Sequence, residues 1–96
     1  MTTELRMLVR NRIQDYAQWR RVFNENLDTL APSGLSVEWI RRDLDNPQEV
    51  WFCLIFEDRT QAEAFVNDPA NAEVGERAGV LGGEIIYLDD DSAGVS

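Results

Sequence analysis

The sequence predicts an α+β domain built around a four-stranded antiparallel sheet, and three observations carry this prediction. Residues 50–56 form an unbroken apolar stretch, which is typical of a strand buried on both faces because a half-exposed strand alternates with polar residues. Around this stretch the chain shows strand-like and helix-like periodicities in the order strand, helix, strand, strand, helix, strand. Residues 9–19 also weakly resemble residues 55–65, which indicates two β-α-β units.

The first predicted strand and helix occupy the first third of the chain. Residues 5–10 alternate between two sets of side chains, as expected for a strand. Asp15 is a suitable N-cap for a helix that runs to about Ala31, and the turn-forming residues 32–34 end it. Apolar residues recur in this helix at spacings of three and four, and Asn26 is the polar member of that stripe.

A hairpin joins the second and third predicted strands. Residues 35–42 form the second strand, and strict alternation places Val37, Trp39 and Arg41 on one face of it. The polar residues 43–48 are typical of the turn that leads into the apolar third strand.

Two short helices are predicted after the third strand. Thr60 and Glu63 match a capping box, which indicates that the first of these helices begins at Thr60. Asp68 is a second N-cap, and Pro69 suits the first position of a helix that runs to about Ala78.

The end of the chain contains a predicted loop, strand and tail. The three glycines of segment 79–83 predict a loop, and residues 84–88 predict the last strand. Residues 1–88 are therefore expected to form a single domain, and segment 89–96, which begins with three aspartates, a frayed tail.

These elements predict the ferredoxin-like βαββαβ fold. Right-handed crossovers and the central hairpin favour the strand order 4-1-3-2, with the helices on one face of the sheet. The other face then carries Trp51, Cys53 and Ile55 without a cover. Because such an apolar face is unfavourable in water, we expect a homodimer in which two sheets pair face to face.

The charge of the chain excludes several classes of function. Eighteen acidic and nine basic residues give a net charge of −9, which argues against a nucleic acid or an anionic membrane as a partner. Every basic residue is arginine, so the chain has no lysine for a Schiff base and no histidine for general-base catalysis or haem ligation. No cluster of residues has the spacing of a metal site, and we expect no cofactor.

The single Cys53 lies mid-strand, which favours a buried, unreactive thiol. No segment is long and apolar enough for a signal peptide or a membrane span, and the expected location is cytoplasmic.

Several short motifs, in this order and spacing, resemble small proteins of the dimeric α/β-barrel superfamily over about residues 7–88. The motifs are Asp15-Tyr16 followed by Trp19 and Phe23, then Asn46-Pro47, Ala64-Phe65 and Asp68-Pro69, and finally segment 78–82 ahead of Ile86-Tyr87-Leu88. The superfamily includes antibiotic biosynthesis monooxygenases, muconolactone-isomerase-like proteins and cyclase-like proteins. Asn11 stands where relatives often carry a histidine, so the resemblance does not imply haem degradation with an axial histidine. It leaves open oxygenation without a cofactor, which in the family depends on Asn, Trp, Tyr and Arg side chains.

Two sets of residues are candidates for a site. Four polar residues are candidate catalytic groups: Arg10, Asn11, Tyr16 and Arg41. The arginines could bind a carboxylate or enolate oxygen, or could pair with glutamates of the sheet, while Asn11 and Tyr16 could orient a substrate or simply pack. Six aromatic residues could line a pocket for a flat ligand, or could be ordinary core and interface residues: Trp19, Phe23, Trp39, Trp51, Phe65 and Tyr87.

Three classes of function follow from these residues. The first is a homodimeric enzyme, acting without a cofactor as a monooxygenase, cyclase or isomerase on an aromatic or polyketide-like compound. The second is a dimer without catalytic activity that binds a ligand or another protein. The third, an RNA-recognition module, shares the order of elements but is disfavoured by the charge of −9.

Overall fold

All four strands form a single antiparallel sheet. The computed structural model describes residues 5–30 and 36–89. Within them the elements are β1 (Leu5–Ile13), α1 (Tyr16–Leu30), β2 (Ser36–Arg42), β3 (Glu49–Phe56), α2 (Arg59–Asn67), α3 (Pro69–Arg77) and β4 (Val80–Asp89). The strand order is β2-β3-β1-β4, which is the predicted order 4-1-3-2 counted from the other edge. The predicted ferredoxin-like α+β fold is therefore confirmed.

β1 and β4, with 9 and 10 residues, are much longer than the sequence predicted. β1 continues to Ile13, because its residues pair with β3 on one side and β4 on the other almost to that end. β4 begins at Val80, so the prediction that Gly82 and Gly83 lie in a loop is wrong. Gly83 is opposite Asn11, and a Cβ atom at Gly83 would lie 2.1 Å from the carbonyl oxygen of the neighbouring Arg10. Glycine is needed there for close strand pairing, and the actual turn is at Gly79, where φ is +76°.

Aspartate caps begin all three helices. The N–H of Gln18 donates to Asp15 Oδ2 at 2.9 Å, and the N–H of Ala70 donates to Asp68 Oδ1 at 3.0 Å, so both predicted caps are confirmed. The predicted start at Thr60 is wrong, because the N–H of Gln61 donates to Asp58 Oδ1 at 2.8 Å, so Asp58 is the cap and α2 begins at Arg59. The predicted end of the first helix near Ala31 and most of the predicted tail lie outside the described residues.

An irregularity in β2 changes which side chains share a face. Val37 pairs with Leu54, and Trp39 pairs with Cys53. Two steps along β2 therefore correspond to a single step along β3. One extra residue, Glu38, is therefore accommodated between them, as in a β-bulge. The prediction that Val37 and Trp39 share a face is wrong, since an inserted residue reverses the alternation.

The core lies between the helices and one face of the sheet, which we call the inner face. Val50, Phe52, Leu54 and Phe56 of β3 are all buried there, as the apolar stretch predicted. Trp19 of α1 is only 1% exposed, and its ring centroid lies 5.5 Å from that of Phe52. The opposite side of the sheet, the outer face, carries residues that alternate with these: Arg6, Leu8, Arg10, Trp39, Arg41, Trp51, Cys53, Ile86 and Leu88.

Candidate functional site

A cavity of about 320 Å³ separates the helices from the inner face of the sheet. Its sheet wall comes from β1, β3 and β4, and its helix wall from α1, α2 and α3. The principal sheet-wall residues are Met7, Val9, Asn11, Phe52, Leu54, Gly83 and Ile85. The principal helix-wall residues are Trp19, Phe23, Asn26, Leu27, Phe65, Asn71, Val74 and Gly75. A cavity of this size and composition suits a small organic ligand.

Aromatic rings form a continuous part of the cavity wall. Trp19 and Phe23 lie one helical turn apart on α1 and stack with ring centroids 4.7 Å apart at an angle of 27°. Phe52 meets the edge of Phe23 at 5.1 Å from the opposite wall. The three rings interlock, so their orientations are held by packing rather than by a ligand. They present a rigid apolar surface to any molecule in the cavity.

The polar side chains of the cavity are mainly neutral amides. Asn11 lies on β1, Asn26 on α1 and Asn71 on α3, and all three are half-buried. None of the three amide groups makes a hydrogen bond within the part of the chain that the structure describes. Glu84 also borders the cavity, but it is opposite Arg10 in the strand pairing, and its carboxylate accepts from Arg10 Nη2 at 2.5 Å on the outer face. Amide donors and acceptors are therefore available to a ligand inside an otherwise apolar space.

Gly83 explains the position of the Asn11 side chain. A Cβ atom at Gly83 would lie 2.8 Å from Asn11 Oδ1, which means that the amide lies across the bare backbone of β4. Any larger residue at this position would displace the amide. The glycine therefore positions Asn11 as well as allowing the strands to pair.

Four of the predicted site residues lie on the outer face, away from the cavity. The Arg41 guanidinium stacks over the Trp39 ring at 4.6 Å. Arg10 lies 5.9 Å from the Trp51 ring and also approaches Glu49, with Nη1 to Oε1 at 3.9 Å. The structure does not bring these side chains together with Asn11 or Trp19, because neighbouring positions of a strand project to opposite faces. The ion pairs that the sequence suggested for Arg10 are present.

The two tyrosines of the prediction pack against the core without lining the cavity. The guanidinium of Arg42 lies 4.2 Å from the Tyr16 ring centroid, and Tyr16 in turn stacks on Trp19 at 6.0 Å. Tyr87 has the Arg59 guanidinium 5.2 Å from its ring centroid. The predicted residues that do line the cavity are Asn11, Trp19, Phe23 and Phe65.

Cys53 is buried on the outer side of the central strand. Loss of hydration raises the pKa of its thiol, and the nearby Glu38 carboxylate raises it further, while Arg6 acts in the opposite direction. The thiol is therefore poorly suited to act as a nucleophile.

Among residues 5–30 and 36–89, no three Cys, Asp or Glu side chains converge as a metal site would require. No described helix is both long and apolar enough to cross a membrane.

The helix-wall residues that the sequence prediction missed include Asn26, Asn71 and Gly75. Asn26 had a visible signal, because it is a polar residue on an apolar stripe. Asn71 and Gly75 share a face of α3 with Val74 and Ala78, but only the packing of α3 shows that this face points to the cavity.

Several proteins of known structure share the fold of this chain, although their sequences are only distantly similar to it. Neither a protein-family model nor a curated protein matches the chain. The structure is similar to that of SnoaB, a cofactor-independent oxygenase from Streptomyces nogalater, with a TM-score of 0.76 and 13% identity over 98% of this chain and 99% of that one. It is also similar to a Caulobacter crescentus protein provisionally designated an antibiotic biosynthesis monooxygenase, with a TM-score of 0.75 and 13% identity over 94% and 92% of the two chains. A conserved protein from Methanosarcina mazei has a TM-score of 0.74 and 10% identity over 94% and 95%.

Proposed function

We propose that this protein, which has the ferredoxin-like fold of the antibiotic-biosynthesis-monooxygenase-like proteins, oxygenates an aromatic or polyketide-like compound without a cofactor. The observation that carries this proposal is the cavity of about 320 Å³ between the helices and the sheet, with its rigid aromatic wall and its amides that form no hydrogen bond among the described residues. The fold shared with SnoaB, a cofactor-independent oxygenase, supports the same conclusion.

Oxygenation without a cofactor requires the substrate itself to supply electrons to dioxygen. An electron-rich phenol or enol can do this once it has lost a proton to water. Its carbanion adds dioxygen to give a peroxide anion, which takes a proton back from water to become a hydroperoxide. The hydroperoxide then loses water to leave a carbonyl group. The balance is one CH₂ group and one O₂ converted into one C=O group and one H₂O. In this reaction the protein has to hold the ring, exclude water and stabilise the developing enolate oxygen.

The cavity offers residues for each of these tasks. Trp19, Phe23 and Phe52 would hold the flat ring system, since aromatic faces bind flat apolar molecules well. The amide of Asn11 would donate a hydrogen bond to the developing negative charge. Arg10 and Arg41 were the sequence-based candidates for that task, but both belong to the outer face. The proposal therefore assigns charge stabilisation to Asn11.

Oxygen uptake tests this assignment. Chelator-treated protein is incubated with hydroquinones and anthrone-like phenols, and Asn11→Ala is compared with Arg41→Ala after circular dichroism has shown that both variants fold. Removal of one oxyanion donor costs about 100-fold in kcat in known enzymes, and we expect a loss of that order for Asn11→Ala and none for Arg41→Ala. Loss of activity with Arg41→Ala alone would refute the assignment. Activity that depends on an added metal would refute the mechanism.

A second candidate function is ligand binding without catalysis. It is favoured by one specific observation, since the described lining contains no histidine, lysine or free carboxylate that could act as a base. Saturable binding of the same phenols without oxygen uptake, and without change in ligand mass, would support this candidate. An isomeric product formed without oxygen uptake would indicate a cyclase or an isomerase instead.

We also propose that the protein acts as a homodimer joined through the outer face. Ile86 and Leu88 are 43% and 42% exposed there, next to Trp39, Trp51 and Cys53, and the described helices pack on the other side of the sheet. An apolar surface of this kind is stabilised by pairing with a second copy. Light scattering at micromolar concentration should give twice the chain mass of 11.0 kDa. A stable species with the mass of a single chain would contradict this proposal.

A further inference from the structure

Two amide side chains on the helix wall of the cavity have no role in the function proposed so far. Asn26 projects from α1 and Asn71 from α3, and both line the cavity. Each is half-buried, and neither amide forms a hydrogen bond in the described part of the chain. A partly buried amide that no protein group satisfies is suited to a ligand or to water.

The directions of the two helices bring these amides to the same end of the cavity. α1 follows β1 and α3 precedes β4, so in an antiparallel strand pair the two helices run in opposite directions. Gln18 Nε2 near the start of α1 donates to the carbonyl oxygen of Arg77 at the end of α3, at 2.8 Å. From this contact, Asn26 lies about 12 Å along α1 and Asn71 about 9 Å along α3, at 1.5 Å per residue. Asn11, in contrast, belongs to the sheet wall.

A glycine leaves space beside this pair. Gly75 lies one helical turn after Asn71 on the cavity side of α3, and a Cβ atom added to it would meet nothing within 4 Å. Glycine lowers the stability of a helix interior, and here no neighbouring atom requires its small size. The open volume next to Asn71 is therefore available to a ligand.

We propose that Asn26, Asn71 and Gly75 form a second polar subsite that determines ligand specificity. The subsite binds a hydroxyl or carbonyl oxygen on the edge of the ring system opposite the edge held by Asn11. It selects flat, uncharged molecules with an oxygen substituent at both edges, since the described lining contains no arginine to neutralise an anionic ligand. This inference rests on the proposed ligand in the cavity.

Binding of two matched probes tests the subsite. The probes are 1-naphthol, with one hydroxyl group, and 1,5-dihydroxynaphthalene, with a hydroxyl group on each ring. Titration calorimetry under nitrogen prevents oxidation of either probe. The near-isosteric variants Asn26→Leu and Asn71→Leu remove the amides, and Asn24→Leu, at an exposed position on α1, is the matched control.

We expect the unmodified protein to bind the diol about five to ten times more tightly than 1-naphthol, as one additional neutral hydrogen bond allows. This preference should disappear in Asn26→Leu or Asn71→Leu and persist in Asn24→Leu, while 1-naphthol binds all four proteins equally. Equal binding of both probes to the unmodified protein, or a preference that survives both cavity substitutions, would overturn the subsite and leave the proposed aromatic cavity standing. If neither probe binds at all, the proposed function is overturned, and the subsite with it.

Discussion

Replacement of Gly75 by alanine should stabilise the protein, and the structure allows the size of the effect to be worked out. Gly75 lies within α3, where alanine is favoured over glycine by up to about 1 kcal/mol in helix propensity. The new methyl group meets no atom within 4 Å, so no steric cost opposes this gain. Because the position is in the last turn of the helix, we expect a gain of about 0.5–1 kcal/mol. For a domain of this size that corresponds to a rise of about 2–8 °C in Tm.

Two other glycines provide matched controls with the opposite sign. At Gly83 a Cβ atom would lie 2.1 Å from a backbone oxygen of Arg10, which cannot rotate away, so Gly83→Ala should cost about 1–3 kcal/mol. At Gly79 the positive φ of +76° is unfavourable for alanine, and Gly79→Ala should cost about 1–2 kcal/mol.

Urea denaturation and thermal melting of the three variants measure these differences. All proteins must be compared at one concentration, since the proposed dimerisation would make Tm depend on concentration. Gly75→Ala should also weaken binding of 1,5-dihydroxynaphthalene, because its methyl group points into the subsite. A destabilised Gly75→Ala would refute the reasoning on α3. A Gly83→Ala variant as stable as its parent would refute the close pairing of β1 with β4.

Three further predictions concern the core, the outer face and the thiol. Trp19→Ala should cost about 3–5 kcal/mol in urea denaturation, because the ring is fully enclosed, and a variant that melts within a few degrees of the parent would show that it is not. Ile86→Arg should convert the proposed dimer into monomers in light scattering without changing the circular dichroism spectrum, whereas a dimer that persists would place the interface elsewhere. Because burial and the Glu38 carboxylate raise the pKa of Cys53, the thiol contributes stability that is complete below the pKa of an unfolded thiol, about 8.5, and is lost as the pH rises through the higher folded pKa. Melting across alkaline pH should show this loss in the parent and a smaller loss in Cys53→Ala; equal losses would assign the pH dependence to other groups.

Local patterns in the sequence were sufficient to predict the fold. The continuous apolar stretch of β3 predicted a strand inside the sheet, and the handedness of the crossovers left one economical strand order. Asp15 and Asp68 predicted where two of the helices begin, because a cap depends only on residues within one turn. Trp19 and Phe23 were recognised as neighbours for the same reason, since their spacing along one helix determines their contact.

Only the tertiary structure decided which residues meet in the cavity. Periodicity shows which side chains of one strand share a face and already separates Arg10 from the adjacent Asn11, but the packing of the helices determines which face becomes the interior and thereby places Asn11 in the cavity. A single inserted residue at Glu38 reverses the alternation of β2, and no local signal in that strand marks it. Asn26 and Asn71 are far apart in sequence and belong to different helices. Their convergence depends on the antiparallel packing of α1 and α3, which is a property of the whole fold and not of either segment.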